Sequence, residues 1–162
     1  MRTDLRCLTS VGAAEVFREW CGRAEKIRIL SAWATDNCPM RDDLWSARHK
    51  IETLVVGLDF CSTSPTFLRQ FQEKVRIGKA NGGRTFHPKV YVFEKGESFT
   101  CIVGSSNLTG GGFGGNTELN LCVTGGTDDD FIRSILGFIG EQEAASKPIS
   151  VPEIDVYERE FT

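Results

Sequence analysis

The sequence predicts an α/β domain in which a mixed β-sheet is flanked by helices on both faces. Segments with helical periodicity and short apolar, β-branched runs follow one another in the order helix, strand, strand, helix, strand, strand, strand, helix. Two of the predicted strands are joined by so short a segment that they must form an antiparallel hairpin. A length of 162 residues accommodates one such domain.

The first four elements lie in the N-terminal part of the chain. Apolar residues recur at helical spacing over Val11–Ala24, and Ser10 is a suitable N-cap for that helix. The run Lys26–Trp33 predicts a strand, and the mostly apolar run Ile51–Leu58 predicts a buried one. The polar segment Thr35–Arg48 between them is expected to be a loop that contains a short helix.

The middle of the chain predicts a helix followed by the hairpin. Ser64 is a suitable N-cap, and Pro65 occupies the first helical position. The apolar face of this helix is predicted to comprise Phe67, Leu68, Phe71 and Val75. The hairpin strands are Phe86–Phe93 and Phe99–Gly104.

The last strand and helix follow a glycine-rich loop. Glu118–Val123 is the predicted strand, and Thr127 is the predicted N-cap of a helix with Asp130 in its first turn. The predicted buried side of this helix comprises Phe131, Ile135, Phe138 and Ile139.

The C-terminal residues have a different character. From Lys147 onward the sequence is acidic, contains Pro148 and Pro152, and has no helical period. We therefore expect residues 1–146 to form the folded domain and residues 147–162 to be a tail or linker.

Composition and charge exclude several classes of protein. Hydrophobic residues make up 40% and charged residues 25% of the chain, which is typical of a globular domain and not of a disordered one. No apolar run is long enough for a membrane span or a secretory signal, so we expect a cytoplasmic protein without a membrane partner. The net charge of −3 excludes a globally basic nucleic-acid binder.

The charge is unevenly distributed along the chain. The segment Arg69–Lys95 holds seven basic and two acidic residues, a balance of 7 − 2 = +5, so the remainder carries −3 − 5 = −8. A positive strip on an acidic protein suits an anionic ligand. A solvated surface of mixed charge fits the same numbers equally well.

Cysteine and histidine usage argues against a metal or other cofactor. The six cysteines form no C-x-x-C pair, and the chain has only two histidines. We expect reduced thiols, with Cys101 and Cys122 as small buried apolar residues. No clustered carboxylates are present to bind Mg²⁺.

Four polar residues are predicted to converge at one end of the hairpin. His87 and Lys89 share a face of the first strand, because alternate strand residues point the same way. Ser105 and Asn107 follow the end of the second strand. Together they offer one nucleophile or proton carrier and three donors for phosphate oxygens.

This pattern, H-x-K followed by G-S-x-N, resembles the signature of the phospholipase D superfamily. Within that superfamily, the segments F-H-P-K-V-Y-V-F, G-S-S-N-L-T-G-G-G-F and N-T-E are most similar to the bacterial nuclease branch, including its metal-independent restriction endonucleases. The resemblance covers residues 86–118. It implies a phospholipase D-like single domain that cleaves phosphodiesters without a cofactor.

The resemblance also implies a role for each matching residue. His87 matches the histidine that attacks phosphorus, and Lys89 matches the lysine that binds the phosphate. Ser105 and Asn107 match the hydroxyl and amide that line the same site. Glu118 falls where related nucleases carry an acidic residue that hydrogen-bonds the histidine.

One position departs from the family pattern, and some residues have simpler interpretations. Glu94 stands five residues after the lysine, where the family usually has a structural aspartate. Lys89 could lie along the surface of its strand, and Ser105 and Asn107 could be turn formers. We interpret His49 as structural. The run Gly110–Gly115 is either a flexible link or a backbone that approaches a phosphate closely.

Three aromatic residues have two interpretations. Trp33, Trp45 and Tyr91 could stack on nucleic-acid bases or pack in the core. We favour core packing for Trp33 and Tyr91.

The chemistry requires a nucleophile and an acid, but the chain holds one copy of the motif. Larger family members supply two histidines from two copies, so we expect a homodimer that shares one active site, with the second His87 as general acid. The predicted substrate is nucleic acid, DNA rather than RNA. A phospholipid phosphodiesterase or transferase and a non-catalytic nucleic-acid-binding dimer module are the alternatives.

Overall fold

The computed structural model describes residues 3–79, 82 and 84–161, and within them eight strands and five α-helices. The strands are β1 (Asp4–Leu8), β2 (Lys26–Ser31), β3 (Ile51–Val56), β4 (Val75–Ile77), β5 (Lys89–Lys95), β6 (Ser98–Gly104), β7 (Asn120–Gly126) and β8 (Lys147–Pro148). The helices are α1 (Ser10–Arg23), α2 (Arg41–Ser46), α3 (Pro65–Gln70), α4 (Asp130–Ala145) and α5 (Val151–Phe161).

All eight strands belong to one mixed sheet, in the order β1-β7-β6-β5-β2-β3-β4-β8. Strands β2, β3 and β4 run parallel to one another, and every other neighbouring pair is antiparallel. Strands β5 and β6 form the predicted hairpin, in which Val90 pairs with Val103. The mixed sheet of the predicted fold class is therefore confirmed.

Helices cover both faces of the sheet. On one face, residues of α1, α2, α3 and α5 form the larger core together with the inward side chains Tyr91 and Phe93 of β5. On the other face, Ile132 and Ile139 of α4 pack against Val92 and its neighbours. The alternation along β5 sends its odd-numbered residues to one core and its even-numbered residues to the other, as the strand period requires.

In the N-terminal half, the elements differ from the prediction at three points. Strand β1 was not predicted, because it is an exposed edge strand without an apolar pattern. The N-cap of α1 is Thr9, whose hydroxyl accepts from the amide of Gly12, rather than Ser10. Helix α3 begins after Ser64 as predicted, but it ends at Gln70, so Val75 lies in β4 and not on the helix. The short helix expected before β3 is present as α2.

Helix α4 begins two residues later than predicted. Its N-cap is Asp129, whose carboxylate accepts from the amides of Phe131 and Ile132, rather than Thr127. With this start, Ile132 and Ile139 are the fully buried residues. Phe131 and Phe138, which we expected on the buried side, are about two-fifths exposed.

The prediction of irregular structure after Lys147 is wrong. Residues there form β8 and α5, and Pro152 lies in the first turn of α5, where its missing amide proton costs nothing. Ile154 is buried, and the hydroxyl of Tyr157 donates to the carbonyl of Thr63 at 2.8 Å. No helical period is visible because only Ile154 and Tyr157 of α5 are buried.

Two further expectations concern cysteines and membranes. All six cysteines are free thiols, and Cys101 and Cys122 are buried, as predicted. Burial raises the pKa of the Cys101 thiol to about 12. Within the described residues, no helix has the length and apolar character needed to cross a membrane.

Candidate active site

Three strand ends meet at one edge of the sheet and form the candidate site. Strand β2 ends there at Ser31, which pairs with Lys89 at the start of the antiparallel β5. Strand β6 ends at the same edge with Gly104. The loops beyond these ends carry the motif residues, so both motif segments lie at this edge of the sheet.

His87 and Lys89 are in direct contact at this edge. Strand β5 begins at Lys89, two residues after His87, because Pro88 has no amide proton to donate to the sheet. The Nζ of Lys89 lies 2.8 Å from Nδ1 and 3.0 Å from Nε2 of His87, and it donates to the His87 carbonyl at 3.1 Å. Lys89 is 9% exposed, whereas the imidazole is open to solvent.

The wall behind the imidazole is an aromatic side chain. The rings of Trp33 and His87 meet edge to face, with centroids 5.4 Å apart. The Lys89 ammonium lies 5.8 Å from the centre of the indole ring. Trp33 is half-buried and belongs to the site, so our interpretation of it as a core residue is wrong; Tyr91 is a core residue as expected.

The surroundings favour a neutral imidazole. Burial and the neighbouring charge of Lys89 lower the pKa of His87, and the carboxylate of Asp59 opposes them. Burial also lowers the pKa of Lys89, while the charge of Glu118 raises it. A neutral imidazole keeps a lone pair available for attack at neutral pH.

Glu118 contacts Ser105 rather than His87. Its carboxylate accepts a hydrogen bond from the Ser105 hydroxyl and a second one, at 3.1 Å, from the side-chain amide of Asn116. The Ser105 hydroxyl in turn accepts from the amide of Leu119 at 3.1 Å. The expected hydrogen bond between Glu118 and His87 is therefore absent from this structure, because Glu118 lies in the loop before β7 and turns toward β6.

Asn107 faces the site from the loop after β6. Its side-chain oxygen accepts from the amide of Trp33 at 3.4 Å, and its side-chain nitrogen makes no hydrogen bond to any described residue. A Cβ on Gly112 would lie 2.2 Å from the Asn107 carbonyl oxygen, so only glycine fits beneath this loop. The glycine run is thus a packed turn, Gly111–Gly115, rather than a flexible link.

A buried polar network, not predicted from the sequence, supports the G-S-S-N loop. Asn120 accepts from the amide of Ser106 at 3.2 Å and donates to its hydroxyl at 2.9 Å. The Tyr91 hydroxyl donates to the Ser106 carbonyl at 2.8 Å. The signal was an asparagine within an apolar strand, since a buried amide must find partners.

The predicted basic strip does not form one surface. Arg69 pairs with Asp155 and Glu158 of α5, and Arg76 bonds to Ser146. Of the seven basic residues in the strip, Lys89 is the one in contact with His87. Among the basic residues of the strip, the charge that the structure places against His87 is therefore that of Lys89.

Two other residues lie away from the site, as the sequence led us to expect. Glu94 is at the far end of β5, where it pairs with Arg28 at 2.7 Å. His49 is in a 3₁₀ turn before β3, at the opposite edge of the sheet. Among the described residues, no three His, Cys, Asp or Glu side chains are grouped so that they could hold a metal ion.

Comparisons with known proteins give a consistent result. Residues 23–134 match the family model described as cardiolipin synthase, PLD-like domain. Among solved structures, NucT from Helicobacter pylori is 16% identical with a TM-score of 0.68, over 91% of this chain and 100% of that one. No curated protein matches the sequence.

Two further solved structures share the fold. Nuc from Salmonella typhimurium, a phospholipase D family member, is 14% identical with a TM-score of 0.66, over 91% of this chain and 99% of that one. Polyphosphate kinase from Porphyromonas gingivalis is 13% identical with a TM-score of 0.58, over 92% of this chain but 27% of the kinase. At these identities, the likeness concerns the fold.

Proposed function

Because the chain belongs to the phospholipase D-like family, we propose that it is a metal-independent phosphodiesterase that acts as a DNA endonuclease. The observation that carries this proposal is the contact between an exposed imidazole and a nearly buried lysine at the sheet edge where Asn107 also lies. The predicted family and the predicted single-domain fold are confirmed by the family model and the similar structures.

In the first step, the neutral imidazole of His87 attacks phosphorus. A P–N bond forms, the P–O bond to the leaving oxygen breaks, and a phosphohistidine results. Lys89 and the free amide nitrogen of Asn107 donate to the equatorial oxygens, which gain charge in the transition state. Trp33 restricts the orientations that the imidazole can adopt.

The leaving oxygen requires a proton that one chain does not supply. His49 is at the opposite edge of the sheet, so the second imidazole must come from another copy of the chain. In the proposed homodimer, His87 of the partner subunit donates the proton. It then accepts a proton from the water that breaks the P–N bond, which returns both imidazoles to their starting states.

An exposed apolar patch beside the site fits this second copy. It comprises the exposed residues Leu5, Cys7, Leu119 and Leu121 and borders on half-buried Val103, on the sheet face that α4 covers only in part. Leu119 is 64% exposed, and its backbone bonds to Ser105. A second copy docked on the patch would therefore adjoin the catalytic edge, as expected if the dimer shares one site.

The two alternative functions named in the sequence analysis can be distinguished from a nuclease by experiment. A phospholipid phosphodiesterase would use the same phosphorus chemistry on a different substrate. A non-catalytic binding module would have no need for the contact between His87 and Lys89. Substrate comparison and turnover distinguish both of them from the nuclease.

The first prediction is cleavage in the presence of excess EDTA. Purified protein is incubated with plasmid DNA, single-stranded DNA, RNA and phospholipid vesicles, with a His87→Ala variant as control. We expect DNA cleavage that survives the chelator and falls steeply with salt, because the contacts are to phosphates. Activity lost in EDTA and restored by Mg²⁺ would contradict the mechanism, and turnover of phospholipid alone would favour the alternative enzyme.

The second prediction concerns the shared site. Wild-type chains are mixed with a growing excess of His87→Ala chains under conditions that allow exchange. If each site needs both imidazoles, activity falls as the square of the wild-type fraction, because only wild-type pairs are active. A linear fall, or full activity of a monomer in solution, would mean that each chain works alone.

A further inference from the structure

Phe60 occupies a position that neither burial nor backbone preference explains. It lies in the short 3₁₀ turn Asp59–Cys61 after β3, and its side chain is 77% exposed. In the described part of the chain, the non-glycine residues with a positive φ are Phe60, at 61°, and Cys61, at 49°. A bulky residue is strained in this region, and such strain is found most often at functional sites.

The turn is attached to the catalytic edge. The carboxylate of Asp59 accepts from the amide of Phe86 at 3.1 Å, directly before His87. The Cys61 amide donates to the Leu58 carbonyl at 3.2 Å, and the Ser62 hydroxyl donates to the Phe60 carbonyl at 3.3 Å. These bonds hold the strained turn in place beside the segment that carries the nucleophile.

The Phe60 ring continues the aromatic wall of the site toward solvent. Its centroid is 6.4 Å from that of Trp33, with the planes at 80°, and Trp33 meets the imidazole at 5.4 Å. Among the described aromatic rings, only Trp33 contacts Phe60. An aromatic face is thus open to solvent one ring beyond the imidazole wall.

We propose that Phe60 is a positioning residue on which a base of the nucleic acid stacks, next to the phosphate that His87 attacks. The proposal rests on the proposed function. Stacking uses the π-face that all bases share, so it would fix the position of the strand without reading its sequence. It needs a base that is free of its own neighbours, which makes an unpaired or unstacked nucleotide the preferred substrate at this point.

The test measures binding apart from catalysis. In a His87→Ala background, affinity is measured for a fluorescent single-stranded oligonucleotide and for a series with one abasic site at successive positions. Phe60→Asn removes the ring but suits the left-handed backbone, so it should leave the thermal midpoint unchanged or higher. Phe60→Tyr restores a ring, and Phe138→Ala removes an exposed ring on α4 as the matched control.

We expect Phe60→Asn to weaken binding of the intact oligonucleotide by about tenfold, with Phe60→Tyr and Phe138→Ala close to the parent. With the abasic site at the stacked position, Phe60→Asn should have no further effect. Equal affinities for the intact strand, or the same loss at every abasic position, would overturn the proposal. So would a loss confined to binding of anionic phospholipid vesicles, since it would make Phe60 a membrane contact.

The two proposals fail in different ways. If the protein that retains His87 cleaves no nucleic acid, the proposed function fails and this inference fails with it. If it cleaves DNA and Phe60→Asn changes neither affinity nor KM, only the role of Phe60 is refuted.

Discussion

Replacing His87 with alanine should abolish turnover and leave the fold intact. The imidazole is the nucleophile in the proposed mechanism, and in a homodimer the substitution removes the general acid as well. Its side chain is exposed and lies before β5, so little packing is lost. The measurement is the cleavage rate of labelled DNA in EDTA, together with circular dichroism and the thermal midpoint of both proteins.

The matched control is the other histidine. His49 lies in the 3₁₀ turn at the opposite sheet edge, so His49→Ala should keep the parental rate. A His87→Ala variant that still cleaved at the parental rate would show that the site is wrongly placed. Equal losses from both substitutions would point to a general effect on folding.

Replacing Lys89 should have the second-largest effect. Lys89→Met keeps the length of the side chain but removes the charge, and Asn107→Ala removes the amide donor. We expect each to lower the rate by about 10²–10³-fold, as for other donors that stabilise a transition-state oxyanion. Glu118→Gln should be milder, because Glu118 acts through Ser105 and through its charge on Lys89.

The pH dependence of the cleavage rate shows whether Lys89→Met acts through the lost charge or through lost packing. The Lys89 charge lowers the pKa of His87, so Lys89→Met should raise that pKa and move the acid limb of the rate profile to higher pH. More of the nucleophile is then protonated just below neutral pH, and the relative loss grows as the pH falls. NMR titration of the imidazole protons measures this shift directly, and Asn107→Ala should leave it unchanged.

Exposed Lys95 at the far end of β5 provides the control for charge alone. Lys95→Met changes the net charge by the same amount, away from the site, and should keep both the rate and the His87 titration. If it slowed cleavage as much as Lys89→Met, the effect of Lys89 would be one of overall charge. Unchanged titration of His87 in Lys89→Met would contradict the contact described above.

The sequence predicted the parts of the fold that local signals specify. The hairpin followed from a short connection between two apolar runs, and the start of α3 followed from Ser64 and Pro65. Edge strand β1 and helix α5 were missed because partners distant in sequence stabilise them. In α4, a threonine and three consecutive aspartates all suit an N-cap, and the start that is used is shown by the hydrogen bonds of Asp129 and the packing of Ile132.

In the site, too, the sequence predicted what local signals specify and missed what depends on residues distant in sequence. The spacing of His87 and Lys89 and the place of Asn107 were visible in the motif, because strand periodicity and strand ends are local properties. The orientation of Glu118 toward Ser105 depends on where β7 begins, and the wall formed by Trp33 depends on the pairing of β2 with β5. Neither follows from spacing alone.

The most direct test of the account is to trap the covalent intermediate. The protein is mixed in EDTA with a stoichiometric excess of a short DNA strand, quenched in base within the first turnover, and digested for mass spectrometry. We predict that one DNA fragment is linked through its phosphate to the peptide that contains His87. No such adduct should form with His87→Ala. Cleavage that proceeds through a resolved first turnover with no adduct on His87, or with the adduct on another residue, would contradict the central claim.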